Sequence, residues 1–207
     1  MAPSLPWRAR TYTAGMSPLT RRSLPLATVA LARYLIGKRL VHHTAGGPIA
    51  GRIVETEAYP PGDPTGYARP GLTTANAPLF ARRGTAYVRM VYGVSLTLNI
   101  AAEDAGTGAG VLIRALEPLD GLELMRARRP GVRDRDLARG PGRLCAALGI
   151  GLDLSGHDLT AGHTLWLEPM RSRPADVIVS TRIGLSRDQH RRLRFLERGS
   201  VFVSVPP

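Results

Sequence analysis

A series of strand-like segments between residues 39 and 115 sets the fold class of this chain. Each segment alternates or is rich in β-branched residues, and glycine or proline separates it from the next, which is typical of strands. The segments are KRLVHH, PIAGRIVETEAY, TAYVRMVYG, VSLTLNIAA and GVLIRALEP. The pair Tyr92-Gly93 between the third and the fourth predicts a hairpin or sharp bend.

Helical patterns lie on both sides of these strands. They are SLPLATVALARYLIGKRL, with Ser23 as the expected cap and Leu26, Val29, Ala30 and Leu35 facing a core, then PLDGLELMRARR and GPGRLCAALGI. HTLWLEP, DVIVSTRIG and SVFVSV near the end predict further strands. We therefore predict one α+β domain over residues 18–207, with a curved antiparallel β-sheet, flanking helices and a protruding β-hairpin. Residues 1–17 show no periodicity and are expected to form a disordered basic arm.

The charge of the chain predicts a polyanionic partner. Lys and Arg number 28 against 16 Asp and Glu, giving a net charge of +12. Such an excess favours nucleic acid first and a membrane surface second. Residues 126–143 and 171–198 are especially rich in arginine. Arg143 and Arg182 in these stretches are our candidates for contacts with a DNA backbone.

Several partners and compartments are not expected. The single cysteine, Cys145, excludes an intrachain disulfide and a cysteine-based zinc site and is expected to be a buried residue on a helix. No apolar run approaches the ~18 residues of a membrane span. We predict no metal, no cofactor and no membrane partner, and a cytoplasmic location with the bacterial nucleoid.

Two glutamates lie on one predicted strand, in the segment GRIVETEAY. Glu55 and Glu57 are two residues apart, so both side chains point to the same face of the strand. Either both are solvated or paired with arginine, or one of them is a general base that activates water.

Aromatic and amide side chains near this segment could read a nucleobase. Tyr59, Tyr67, Tyr87 and Tyr92 fall within 34 residues, in a chain with only 5 % aromatic residues. Tyr87 is expected in the core, whereas the others could stack on bases or wedge between them. Two polar residues, Asn99 and Arg114, end apolar strands; an asparagine there is either a turn former or a reader of base edges.

Six segments of the chain, from about residue 24 to 205, resemble the 3-methyladenine DNA glycosylases of the eukaryotic alkyladenine type, a family that also occurs in bacteria. They are LARYLIGKRLV, GRIVETEAY, GTAYVRMVYGVSLTLNI, VLIRALEPLDGLELMRARR, GPGRLCAALGI and the tail from RIGL to FVSV. Each is weakly specific alone, but the ordered set is highly specific.

The resemblance implies a monofunctional enzyme that flips damaged purines from duplex DNA and cuts the N-glycosidic bond, leaving an abasic site. Glu57 matches the catalytic carboxylate, and Arg114 matches the arginine that helps to hold the water. Tyr59 matches a ring that stacks on the flipped base, Asn99 an asparagine that disfavours guanine, and Tyr92 the inserted tyrosine. The partner implied is double-stranded DNA with damaged purines, bound by a monomer. Lys38 is the only lysine, so a lyase activity is not expected.

The sequence departs from the family at the base pocket. Tyr67 stands where a histidine is usual, Arg89 where a stacking aromatic is usual, and an arginine-asparagine pair is reduced to Ala75-Asn76. An arginine in the pocket wall would repel a cationic base but could stack on a neutral one. We therefore expect weaker selectivity for the cationic bases 3-methyladenine and 7-methylguanine relative to the neutral lesions hypoxanthine and ethenoadenine. The alternative is that the Arg89 side chain points outward and contacts a phosphate.

Two other functions remain open at this point. The pocket changes fit a specialised glycosylase for bulky alkyl-purine adducts. The basic charge and the tyrosines also fit a DNA- or RNA-binding protein without catalysis, but such a protein would not need Glu57 and Arg114.

Overall fold

The computed structural model describes residues 17–170 and 176–207. Within these ranges it has three α-helices and eight strands, which confirms the α+β prediction. The helices are α1 (Thr28–Leu35), α2 (Leu122–Arg128) and α3 (Pro141–Leu148). The strands are β1 (Arg39–Thr44), β2 (Gly47–Tyr59), β3 (Ala86–Val91), β4 (Ser95–Ala101), β5 (Gly110–Asp120), β6 (Leu165–Glu168), β7 (Val177–Ser180) and β8 (Arg194–Glu197). Residues 1–16 of the predicted basic arm lie outside the described residues.

The strands form one curved antiparallel sheet in the order β3-β4-β5-β2-β1-β6. The long strand β2 lies at its centre and pairs with β5 along one edge. Along the other edge, its first half pairs with β1 and its second half with β8, which also pairs with β7. The register between β2 and β5 shifts on both sides of Glu55, so the strand is irregular where its carboxylates lie.

Apolar side chains from the sheet and from all three helices form the main core. Helix α3 contributes Leu144, Cys145, Ala147 and Leu148 to it. Cys145 is buried on this helix, as predicted, and its burial raises the pKa of the thiol to about 12.

Helix α1 begins later than its sequence pattern predicts and buries a different face. It starts at Thr28, and its first turn is capped by Glu103, whose Oε1 accepts the Thr28 N–H at 2.7 Å. The prediction that Leu26, Val29 and Ala30 face the core is wrong, because all three are exposed, whereas Leu35 lies in the core as predicted. The cap comes from a residue 75 positions away, so local sequence could not show where the helix starts.

The last strand also differs from the prediction. The segment SVFVSV forms turns and bends, and the strand in this region is β8, Arg194–Glu197. The final residues are instead tied down by side chains, since Arg139 donates to the Val203 carbonyl at 2.6 Å and Arg194 donates to that of Val205.

The predicted hairpin is formed by β3 and β4. Tyr92 and Gly93 at its tip have φ of 53° and 69°, and Val94 N–H donates to the Val91 carbonyl at 3.2 Å. Two consecutive left-handed residues suit the twist of a tight hairpin. No helix in the described part of the chain is long and apolar enough to cross a membrane.

Candidate active site

The carboxylate of Glu57 is fully buried near the end of β2 and accepts three hydrogen bonds. Its Oε1 accepts from the Ile183 main-chain N–H at 2.8 Å. Its Oε2 accepts from the Tyr59 hydroxyl at 2.9 Å and from Nη1 of Arg114 at 3.1 Å. A buried carboxylate persists only where such partners compensate for its lost hydration. Its orientation is therefore fixed from three directions.

Both glutamates of β2 bond the same arginine. Nε of Arg114 donates to Glu55 Oε1 at 3.1 Å, so the guanidinium spans the two carboxylates. Glu55 also accepts from Arg194 Nε at 2.8 Å, from the Ser204 hydroxyl at 2.8 Å and from the Ser204 N–H. The prediction that Glu55 and Glu57 share a face is confirmed, and Glu55 is held within the protein rather than presented to solvent.

Tyr59 lies between Glu57 and a buried arginine. Burial, and then the nearby Glu57 charge, raises the pKa of the phenol well above its usual range, so the hydroxyl remains a donor. Cζ of Arg182 lies 4.6 Å from the centre of the Tyr59 ring. Arg182 Nη1 donates to Asp63 Oδ2 at 2.9 Å and to the Ala58 carbonyl at 3.1 Å.

The prediction that Arg182 contacts a DNA backbone does not fit this position. Its side chain has no exposed surface, and its Nε and Nη2 are buried without a hydrogen-bond partner. A phosphate cannot reach this guanidinium unless the protein around it opens. Arg182 instead links the loop after β2 to the residues around Glu57.

A cavity beside this cluster brings together the predicted base-pocket residues. Tyr59, Tyr67, Asn99 and Asp63 are among the residues that line it. It measures about 20 Å³, room for no more than one water. A purine would therefore enter only if residues lining the cavity move.

Arg89 is not among the residues that line this cavity. Its Cζ lies 4.4 Å from the centre of the Tyr67 ring, and its Nη1 donates to the Tyr87 hydroxyl at 3.4 Å. Tyr67 in turn meets Tyr87 edge to face at 6.2 Å. Arg89 is thus not a wall of the cavity; it is exposed and lies on the ring of Tyr67, a residue that does line it. Tyr87 is a core residue, as predicted.

The side chains of Tyr92 and Arg143 are both exposed to solvent. The Tyr92 side chain is 90 % exposed at the tip of the β3–β4 hairpin, next to the 84 % exposed Val94. Arg143 is exposed in the first turn of α3 and lines an open groove with Val94 and Arg129. The positions of both residues are open to a large ligand.

Sequence reasoning missed the residues that fix the loop between β2 and β3. Asp63 Oδ1 accepts from the N–H and hydroxyl of Thr65, at 3.0 and 2.6 Å. The amide of Asn76 donates to the carbonyls of Tyr67 and Gly71, both at 2.9 Å. The sequence Asp-Pro-Thr is typical of a turn and could have indicated the role of Asp63. No sequence pattern could have indicated the hydrogen bond from Ile183 to Glu57, because a main-chain N–H is present in almost every residue type.

A curved α+β domain that buries an oriented carboxylate beside an aromatic-lined cavity, on a strongly basic chain, is the arrangement expected of a hydrolase that acts on nucleic acid. The family model for methylpurine-DNA glycosylase matches residues 23–201. The chain belongs to this family, and so to the DNA N-glycosylases, a class of hydrolases whose substrate is DNA.

Relatives match over nearly the whole chain. Proteins of Paraburkholderia phytofirmans and Mesorhizobium japonicum, named provisionally as 3-methyladenine DNA glycosylases, are each 53 % identical to it; the alignments cover 95 % and 96 % of this chain and 92 % and 97 % of those proteins. The DNA-3-methyladenine glycosylase of Homo sapiens is 38 % identical over 97 % of this chain and 73 % of its own length.

Proposed function

We propose that this glycosylase is monofunctional, flips damaged purines out of duplex DNA and hydrolyses their N-glycosidic bond with a water held by Glu57. The observation that carries the proposal is the fully buried Glu57 carboxylate, oriented by three donors, one of which, Tyr59, lines an aromatic cavity. The product is an abasic site, which places the enzyme at the start of base excision repair.

The environment of Glu57 suits the activation of a water. A carboxylate offers about four acceptor positions, and three of those on Glu57 are occupied by Ile183, Tyr59 and Arg114. The remaining position on Oε1 can accept from a water and orient its lone pair toward C1′ of the sugar. The sugar becomes positively charged as the base departs, and the same carboxylate stabilises that charge.

The hairpin tip supports insertion into the duplex. Tyr92 presents a nearly fully exposed ring from a left-handed residue, a conformation that costs a non-glycine residue roughly 1–2 kcal/mol. An exposed aromatic held at such a cost is useful as a wedge that fills the space left by a flipped nucleotide.

The cavity residues have distinct roles in this proposal. Tyr59 stacks on the flipped base, Tyr67 forms a second aromatic wall, and Asn99 disfavours the exocyclic amino group of normal guanine. Arg143 beside the hairpin contacts the DNA backbone. Because any purine enters this cavity only when its lining residues move, the cavity volume does not favour bulky adducts over smaller lesions.

Excision assays on duplex oligonucleotides test this function. Each duplex carries hypoxanthine, ethenoadenine or 7-methylguanine, and alkaline cleavage reveals abasic sites. We expect excision by the wild type, and a loss of about 10²–10⁴-fold in Glu57→Gln, the range for a general base. Binding of Glu57→Gln to the duplex should change little. Equal excision by the variant, or tight binding without excision by the wild type, would contradict the proposal.

A control variant addresses the charge of Glu57. Glu117→Gln removes a carboxylate elsewhere on the sheet, whose Oε2 lies 2.6 Å from Nη2 of Arg52. Excision by this variant should match that by the wild type.

The same assay tests whether the enzyme is monofunctional. A strand cut by the wild type without alkaline treatment would indicate a lyase and contradict that part of the proposal.

A further inference from the structure

Each aromatic ring that lines the cavity carries an arginine on its face. Cζ of Arg182 lies 4.6 Å from the centre of the Tyr59 ring, and Cζ of Arg89 lies 4.4 Å from that of Tyr67. Both tyrosines line the cavity, and neither arginine does. The two guanidinium groups therefore approach the rings from outside the space that a base would occupy.

We infer that Arg89 and Arg182 are specificity-determining residues that make this site favour neutral damaged purines over cationic alkylpurines. The inference rests on the proposed function, because it assumes that a purine enters this cavity. It adds the charge class of the preferred substrate and names the residues that set it.

The first reason concerns the electrons of the rings. The face of an aromatic ring attracts cations because its π electrons give it a partial negative charge. In Tyr59 and Tyr67 this attraction is already engaged by a guanidinium. A cationic base stacked on either ring would also meet a like charge across it, whereas a neutral base would stack without repulsion.

The acidic groups nearby do not cancel this effect. Asp63 lines the cavity, but its Oδ2 accepts from Arg182 and Arg191, each at 2.9 Å. Glu57 is paired with Arg114. Each carboxylate is thus offset by arginine. Within residues 17–170 and 176–207, Arg89 contacts the two tyrosines Tyr67 and Tyr87 and forms no ion pair with an acid.

The second reason concerns the departing base. When the bond from C1′ to the purine nitrogen breaks, its electron pair stays on the purine, and the water oxygen bonds to C1′ while a water proton passes to Glu57. A neutral purine then leaves as an anion until it is protonated, and nearby guanidinium groups stabilise that anion. A cationic alkylpurine leaves neutral and gains nothing from them.

Arg89→Gln is the sharper test, because Arg89 is exposed and its replacement leaves the core intact. Single-turnover excision is measured on duplexes that carry hypoxanthine as the neutral probe or 7-methylguanine as the cationic probe. The readout is the ratio of the two rates. We expect Arg89→Gln to shift this ratio toward 7-methylguanine by about two- to fivefold, the range of an exposed cation–π contact.

Two further variants separate charge from other effects. Arg89→Lys keeps a cation and should retain the wild-type ratio. Arg33→Gln removes an exposed arginine from α1 and should also leave the ratio unchanged. Any contribution of Asn99 is the same in all four proteins, so a change in the ratio reports the cation near Tyr67.

The outcomes distinguish the inference from the function on which it rests. An unchanged ratio in an active Arg89→Gln overturns the inference and leaves the proposed function in place. A shift of equal size in Arg89→Lys overturns it as well, because the charge would then not be its cause. If the wild type excises neither hypoxanthine nor 7-methylguanine, the proposed function itself is overturned.

Discussion

The Glu55 carboxylate accepts a hydrogen bond from Nε of Arg114 at 3.1 Å, and this contact directs Nη1 of the same guanidinium at Glu57. The geometry depends on an irregular register: pairing with β5 passes from Glu55–Ala115 to Thr56–Ile113, so Arg114 is left out of the regular pairs. In the proposed mechanism Glu55 therefore acts as a positioning residue, because it holds the arginine that contacts the catalytic carboxylate.

Replacing Glu55 should slow excision without changing the chemistry at Glu57. In Glu55→Gln, both Arg114 and Arg194 lose a buried charged partner, and breaking such a pair costs about 3–5 kcal/mol of stability. We expect a lower single-turnover rate at saturating DNA, with little change in the Kd for DNA. Urea unfolding measures the stability. A native rate in the folded variant would show that Glu55 does not position Arg114.

The strands and the hairpin could be predicted because their signals are local. Alternation in β2 placed Glu55 and Glu57 on one face, and Tyr92-Gly93 marked the turn. The start of α1 and the position of β8 could not be predicted. They depend on contacts between distant residues, such as the Glu103 cap on Thr28 and the pairing of β8 with β2.

The residue types of the candidate site could be predicted from the sequence, but the contacts between its side chains could not. Arg182 looked like a surface arginine because the basic stretch around it gives no sign of burial. Its partner Asp63 lies 119 residues away in sequence. Long-range ion pairs of this kind leave no periodic pattern, so only the folded structure separates Arg182 from the exposed Arg143.

Tyr92→Asn should change stability and activity in opposite directions. Asn followed by Gly is the favoured pair for two left-handed residues in a hairpin, so the substitution should keep or raise the free energy of unfolding, by up to about 1 kcal/mol. Loss of the exposed ring should lower excision about tenfold, within the ~1–3 kcal/mol of one stacked base. Thermal unfolding and single-turnover assays measure the two effects. Undiminished excision would exclude insertion of Tyr92.

Asp63 predicts a loss of stability in acid. Burial alone would raise its pKa, but the hydrogen bonds from Thr65 and Arg182 outweigh this and hold the pKa below its ordinary value of 3.8. A carboxyl whose pKa is depressed by folding stabilises the protein above its unfolded pKa, and that stability is lost as the pH falls through the folded value.

Comparison of the wild type with Asp63→Asn isolates the contribution of the Asp63 carboxylate to the free energy of unfolding. Urea unfolding of the wild type and the variant at pH 7, 4 and 3 should show a large stability difference at pH 7 that narrows below about pH 4. Asp176→Asn is the control, because that carboxylate is exposed and pairs with the exposed Arg198. A difference between wild type and Asp63→Asn that stays constant down to pH 3 would contradict this account of Asp63.

The two arginines first considered for the DNA backbone should respond differently to salt. Each phosphate contact that is lost reduces the slope of log K against log salt by about 0.9. Arg143 is exposed beside the hairpin, so Arg143→Gln should show this reduction and keep native stability. Arg182 is enclosed and bonded to Asp63, so Arg182→Gln should lose stability while a folded fraction keeps the wild-type slope. Binding isotherms between 50 and 200 mM salt, roughly the range over which such contacts weaken affinity strongly, measure both slopes. A reduced slope in Arg182→Gln would mean that the protein around this guanidinium opens on DNA, and an unchanged slope in Arg143→Gln would move the backbone contact away from the start of α3.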